Sequence, residues 1–484
     1  MRPHPHLLQI NTAVFLNRLS ERAAKKIGLA AVPQEEWEKV AALGFDYVWL
    51  MGIWQRSARS KEEALKNSHL RRLFDQTLPG WKERDVTGSP YAVFDYKVEP
   101  SFGGEKGLSE ARKKLNRLGL GLMLDFVPNH VALDHPWTLS HPERFVQVGA
   151  ATAAKNPDLF FKTKGGHFLA HGRDPNFPPW TDTAQVNFFS RDLREAWKKE
   201  LLAIAEMADG VRCDMAMLGM GEIFEGIWQP FLKGPVPREE FWPPAIRAVK
   251  ERHPSFLFLA EAYWNREWPL QQMGFDFTYD KVLYDRLRFS KAADIEAHLK
   301  PNGLYQKRSA HFIENHDEER AAKAFDRRQR AAAVIMSTLP GMRFFHDGQG
   351  QGKQVRLPIQ LNREPTEVEN PEIKKFYQRL FAILQDESFH LGYWRSLDKV
   401  AAGHSGEPHV LGWSWRYGDH LKIIAVNYSS EHAQAAFKIP SVDPGLPVTD
   451  ELNVLNPAEL EITEDRLDIQ LEPWGACILT CGDR

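Results

Sequence analysis

The sequence predicts a (β/α)8 barrel with a small insert after its third strand, followed by a C-terminal antiparallel β-sandwich. Three observations predict it. Over roughly the first 390 residues, short apolar runs alternate with segments of helical period, the pattern of parallel strands joined by helices. Eight such runs occur, the strand count of that barrel. Beyond about residue 393 the helical patterns give way to short alternating stretches broken by turns such as SGEPH and DPGLP.

LLQINTAVF (7–15) reads as the first strand, followed by the helix-like QEEWEKVAAL (34–43). DYVWLMGIW (46–54) is the second strand, and a long loop over 55–103 leads to the helix LSEARKKLNRLG (108–119). LGLMLDFV (120–127) is the third. The fourth, DGVRCDM (209–215), comes only after the helix SRDLREAWKKELLAIAEM (190–207). FLFLAEAYW (256–264), FDFTYD (275–280), HFIENHD (311–317) and MRFFHDG (342–348) complete the eight, and EIKKFYQRLFAIL (372–384) is the closing helix. A barrel unit averages about 30 residues. The 89 residues from Asp125 to Asp214 therefore leave room for an inserted unit, and HGRDPNFPPWTDTAQ (171–185) has the Pro, Asp and Gly of loop structure. The expected division is a barrel over 1–131 and 188–392, an insert over 132–187, and the β domain over 393–484. The insert and the 55–103 loop both lie on the strand-to-helix side, where barrel sites are built.

The totals narrow the function classes. The 484 residues are 43% hydrophobic and 26% charged, with formal net charge −2. Nothing in that balance points to nucleic acid or an anionic membrane, while small neutral polar ligands fit it. Three cysteines, Cys213, Cys477 and Cys481, are too few and too scattered for a disulfide framework. The opening MRPHPHLLQINTAVF lacks a signal-peptide core, and no 18-residue apolar run occurs. The expected location is the cytoplasm. Most of the 15 Trp and 29 Phe belong to the core.

Several strands end in charge. SAHFIENHDEER (309–320) packs Glu314, Asn315, His316, Asp317, Glu318 and Glu319 behind apolar Ala310, Phe312 and Ile313. Alone, this reads as a helix start capped by Asn315 or Asp317, with Glu318 and Glu319 at its positive end. It has company, however. LGLMLDFVPNH ends in Asp125, Asn129 and His130; DGVRCDM carries Arg212 and Asp214; FLFLAEAYW carries Glu261. In a barrel these positions share one rim. Arg212 and Asp214, two apart on extended chain, project to one side, where the arginine favours the ionised carboxylate. Clustered carboxylates repel, and a fold keeps them mainly for proton transfer or charge stabilisation. These segments have no HxH, HExxH or CxxC spacing for a metal. There is also no G-x-S-x-G elbow, and no Gly-rich phosphate loop follows an early strand. Carboxylates in this number suit glycosidic bond cleavage, in which one attacks and another donates a proton.

DFVPNH, GVRCDM, the Glu of LAEAYW and ENHD, in that order, resemble the four signature segments of the α-amylase family of glycoside hydrolases. GSPYAVFDY (88–96) and DTAQVNF (182–188) also resemble family stretches. The likeness covers roughly residues 1–390. It implies Asp214 as nucleophile, Glu261 as general acid and base, and Asp317 as the group that grips sugar hydroxyls and stabilises the transition state. Arg212 would orient Asp214; His130 and His316 would bond the same sugar, and Tyr91 would stack beneath it. Tyr263 and Trp264 would floor the leaving-group side, with Asp125 and Asn129 in support. The implied chemistry is double displacement with retention at an α-linked glucose, the two carboxyls standing about 5–5.5 Å apart. Many starch-cleaving members have Lys-His after the nucleophile segment; here Met215, Ala216, Met217 and Leu218 stand there and cannot donate hydrogen bonds to an acceptor sugar. Asn129 matches a calcium-ligand position of calcium-dependent amylases but also occurs in calcium-free members, so no cofactor is expected. The partner is an α-linked oligosaccharide or polysaccharide. Hydrolysis leads; transglycosylation, glucosyl isomerisation or phosphorolysis at the same site is the alternative, and a noncatalytic glycan-binding barrel the third reading.

Overall fold

The computed structural model describes residues 2–232, 235–300, 303–400, 407–441, 447–455, 460–463 and 465–482. Eight parallel strands close a barrel: β1 (His6–Asn11), β2 (Tyr47–Met51), β3 (Gly121–Phe126), β4 (Gly210–Cys213), β5 (Leu257–Ala260), β6 (Phe277–Tyr279), β7 (Ser309–His311) and β8 (Met342–His346). They neighbour one another in chain order, and β8 returns to β1. Each strand is packed on both faces, so each reads as a nearly unbroken apolar run; every residue of β2 and β5 is buried. Arg212 on β4 lies level with Asp125 on β3 and Leu259 on β5, which sets the height of the charged rim.

Several strand and loop readings need correction. The first strand stops at Asn11, not Phe15, because the Asn11 side chain accepts from Val14 N–H and caps a helix over Thr12–Ala23, a role asparagine favours at helix starts. The second stops at Met51, since Gly52 turns the chain with φ +74°. The ladder of the seventh ends at His311, and Phe312 and Ile313 continue buried but unpaired. Asn315 does accept the N–H groups of Asp317 and Glu318 at 2.9 and 3.0 Å. The next helix starts only at Ala321, so this is an Asx turn rather than a helix cap. The 55–103 stretch is not a plain loop. It holds helices Ala58–Lys66 and Ser68–Thr77, capped by Ser57 and Asn67, and a strand Val93–Val98 paired with Trp54–Arg56.

Between β3 and the helix Arg191–Met207 lie two small antiparallel sheets. One pairs His130–Ala132 with Thr183–Gln185, and the other joins Gln147–Val148, Phe168–Ala170 and Phe160–Lys162. The helix Pro371–Leu384 packs Tyr377, Leu380, Phe381, Ile383 and Leu384 inward and is capped by Asn370, a cap worth about 1 kcal/mol. After it come a five-stranded and a four-stranded antiparallel sheet. Ile423 and Leu479 of the first meet Phe437 and Leu467 of the second in one apolar cluster, as in a sandwich. Among the described residues no helix is long and apolar enough to cross a membrane.

Candidate active site

The ends of β4, β5 and β7 deliver Asp214, Glu261 and Asp317 into one cleft of about 860 Å³, which Tyr91, His130, Tyr263, Trp264 and His316 also line. Behind them stands Arg212, with no exposed side-chain surface. Its Nη1 donates to Asp214 Oδ1 at 2.6 Å, and its Nη2 lies 2.8 Å from Glu261 Oε2. One guanidinium thus serves two strand ends and holds both carboxyls at its two amino groups. Its faces rest on the rings of Trp49, Tyr91 and Tyr279, so neighbouring aromatics fix its plane.

The two acids are held differently. Burial pushes Glu261 up to about 7; Arg212 opposes this and Asp214 adds to it. Met215 N–H and Tyr263 O–H donate to its two oxygens at 2.6 and 2.8 Å, leaving the side chain little freedom. Burial also raises Asp214, against the charge and hydrogen bond of Arg212. For Asp317 burial is outweighed by His316 and Arg212, and the carboxyl is held low, at about 2; its side chain is 40% exposed and open to the cleft. His316 lies 3.0 Å from it. Gln9 Nε2 donates to His316 Nδ1 at 2.6 Å, which leaves the ring proton on Nε2, facing Asp317 and the Tyr91 hydroxyl 2.8 Å away. The Tyr91 and His316 rings stack with centroids 5.3 Å apart.

Residues 35–200 match the family model described as alpha amylase, catalytic domain. Over that third of the chain the sequence is similar to the catalytic domain of the α-amylase family. It is 24% identical over 318 residues to Alpha-amylase 3 of Dictyoglomus thermophilum, covering 60% of this chain and 59% of that protein. To the alpha-1,4-glucan:maltose-1-phosphate maltosyltransferase of Rhodospirillum rubrum it is 26% identical, over 46% of this chain and 27% of that one. Its fold matches the noncanonic maltogenic alpha-amylase AmyB of Thermotoga neapolitana at TM-score 0.69 and 18% identity, covering 99% of both chains.

Two family positions stand outside the cleft lining. Asp125 does not line the cleft; buried beside Arg212, it accepts Gly52 N–H at 2.6 Å and the Trp49 indole N–H at 3.0 Å, so three of the four acidic strand ends share the cleft. The side-chain oxygen and amide of Asn129 are engaged with Gln185. After Asp214, Met215 alone of the four apolar residues lines the cleft; Ala216, Met217 and Leu218 are buried. Trp264 and Asn265, just past Glu261, hold φ of +61° and +59°, backbone strain of the kind stored at functional sites.

Other lining residues went unrecognised in the sequence. Lys281, held by Asp285 at 2.5 Å and Glu318 at 3.3 Å, follows β6. Asp174, Phe177 and Trp180 come from the insert, and Ile359 and Gln360 from beyond β8. Phe177 is 67% exposed on a turn in which Asp174 accepts its N–H at 3.0 Å. An Asp-Pro-Asn turn signal was legible there; that its aromatic faces the cleft was not.

Proposed function

We propose that the protein is a retaining glycoside hydrolase that cleaves α-glucosidic bonds in α-glucans or maltooligosaccharides. The observation that carries this is the single buried guanidinium shared by Asp214 and Glu261. In this reading Asp214, ionised by its hydrogen bond from Arg212, attacks the anomeric carbon from the β face. Glu261, with its proton retained to about pH 7, protonates the departing oxygen. A covalent β-glycosyl-Asp intermediate forms; Glu261 then takes a proton from water, and that water releases the sugar. Asp317 and His316 hold the hydroxyls of the attacked sugar over Tyr91, and their negative charge and dipoles stabilise the oxocarbenium-like transition state. A carboxyl separation of about 5–5.5 Å belongs to this mechanism. Three buried, unpaired cysteines favour a reducing compartment, and we place the activity in the cytoplasm.

Transfer to phosphate is disfavoured by charge. Eight carboxyls line the cleft, from Glu63, Asp174, Asp182, Asp214, Glu261, Asp285, Asp317 and Glu318, against the ammonium of Lys281. A phosphate dianion meets like charge there. The test is incubation with maltooligosaccharides, with and without phosphate, using the wild type and Asp214→Asn. Shorter sugars in both buffers, and a loss of about a thousandfold or more in the variant, are expected. Sugar phosphate or lengthened chains as the main product would replace hydrolysis by transfer, and undiminished turnover in Asp214→Asn would remove the catalytic assignment.

A further inference from the structure

A braced wall lines one side of the cleft. In the closed ring β5 stands diametrically opposite β1, and β2 and β8 flank β1. The connections that follow β2 and β8 meet across β1. Val86 and Leu361 form an antiparallel bridge. Thr87 N–H donates to Gln360 O at 2.8 Å and Asn362 N–H to Asp85 O at 2.9 Å. The Arg363 guanidinium reaches the Asp85 carboxylate at 2.8 Å. Below the seam Ala64, Phe74, Leu78, Val86 and Leu361 form an apolar cluster separate from the barrel core. The segment after β1 backs the seam, since Arg18 binds Glu364 at 2.9 Å and Asp347 at 2.7 Å.

The Ala58–Thr77 helical hairpin is locked to the same wall. Ser60 Oγ donates to Asp182 at 2.6 Å and accepts Ser89 N–H at 3.0 Å. Gly88, with φ +81°, lets the chain pass so close that a Cβ would stand 2.8 Å from Lys61 N. Hydrogen bonds, an ion pair and buried apolar surface together make a fixed barrier rather than a loose flap. Its inner face, Ala64, Leu70, Ile359 and Gln360, looks into the cleft.

Chemistry decides which end of the glucan meets this barrier. The acid that protonates the departing oxygen is on β5, so the leaving portion extends past Glu261, between Met215 and Trp264. The attacked sugar stays over Tyr91 and His316. Residues on its non-reducing side run away from β5, toward β1, where the wall stands. We infer that the cleft is closed at its glycone end and that the protein works from non-reducing chain ends, releasing one short sugar at a time instead of cutting within chains. This rests on the hydrolase reading above.

The test uses p-nitrophenyl α-maltoheptaoside with its terminal glucose either free or capped at O4 and O6, with products followed by chromatography. The free chain is expected to lose a short sugar from its non-reducing end at the earliest times. The capped chain is expected to turn over about a hundredfold or more slower, because a rigid wall rejects added bulk by steric clash. Comparable turnover of both, or early mid-chain products, overturns the inference. Binding of both sugars to Glu261→Gln separates the two proposals. Capped chains binding about tenfold or more weaker support the wall even if no substrate is turned over, an outcome that would refute only the hydrolase reading. Equal binding overturns the wall whatever the turnover.

Discussion

Replacing Arg212 with lysine tests the centre of the site. The guanidinium makes three contacts at once: Nη1 to Asp214 at 2.6 Å, Nη2 to Glu261 at 2.8 Å and Nε to the Tyr279 hydroxyl at 3.2 Å. A lysine keeps the charge but brings one ammonium to one place, so one of two buried carboxyls loses its counter-charge. Breaking a buried ion pair costs about 3–5 kcal/mol; with charge retained we expect the lower end, about 3 kcal/mol of unfolding free energy. Ionisation moves too. Burial already pushes both acids up and Arg212 opposes it, so loss of its fork lets Asp214 rise further. Each unit of rise leaves about tenfold less ionised nucleophile at a given acidic pH. The assay is the pH dependence of kcat/KM for wild type and Arg212→Lys, beside urea unfolding of both. The acid limb should move up by about one unit or more, together with the loss of stability. A variant whose acid limb stays in place while activity persists would refute the idea that Arg212 keeps the nucleophile ionised.

Three further outcomes are expected. Activity of the wild type should fall above about pH 7, where Glu261 loses the proton that the proposed mechanism has it donate; Glu261→Gln should remove this basic limb and lower kcat about 10²–10⁴-fold, less with an activated leaving group that needs no proton. A basic limb that survives in the variant would assign the acid elsewhere. At the base of the barrel His4, His6 and His390 crowd the buried Arg343. Burial and then Arg343 hold His4 at about 3, His390 at about 4 and His6 well below its ordinary value. These groups stay neutral in the fold while the unfolded chain takes up protons below about pH 6.5, so their contribution is intact above that pH and is lost as pH falls toward 4. The slope is at most about 1.4 kcal/mol per pH unit for each histidine. Urea titrations from pH 7 to 4 should show a shallower decline in His390→Gln; equal slopes would count against it. Phe177→Ala should raise KM several-fold, the loss of a stacking contact of about 1 kcal/mol, with kcat nearly unchanged; an unchanged KM would show that the ring touches no sugar.

By itself the sequence determined where the barrel strands lie and which residues stand at their carboxyl ends. Parallel strands covered on both faces must be written as apolar runs, and a charge directly after such a run has only the rim to occupy. Asp214, Glu261, Asp317, His316 and Arg212 were legible for that reason, as was Tyr91 within its family stretch. Three helices capped by Asn11, Ser57 and Asn67 lie where the sequence reads as one strand and one loop.

The tertiary structure alone decided how those ends meet. Barrel closure brings Gln9 to His316 across 307 positions and lets one arginine span two strand ends, while Asp125, written like its neighbours, is tied up by Gly52 and Trp49 and does not line the cleft. Long connections lack the two- or 3.6-residue period that makes a strand or helix readable, and their partners lie far away in the chain. The Phe177 turn and the seam of Val86 with Leu361 are therefore invisible until the fold places them. The charged strand ends were readable because local burial dictates them; the shape of the cleft was not, because it depends on contacts between distant loops.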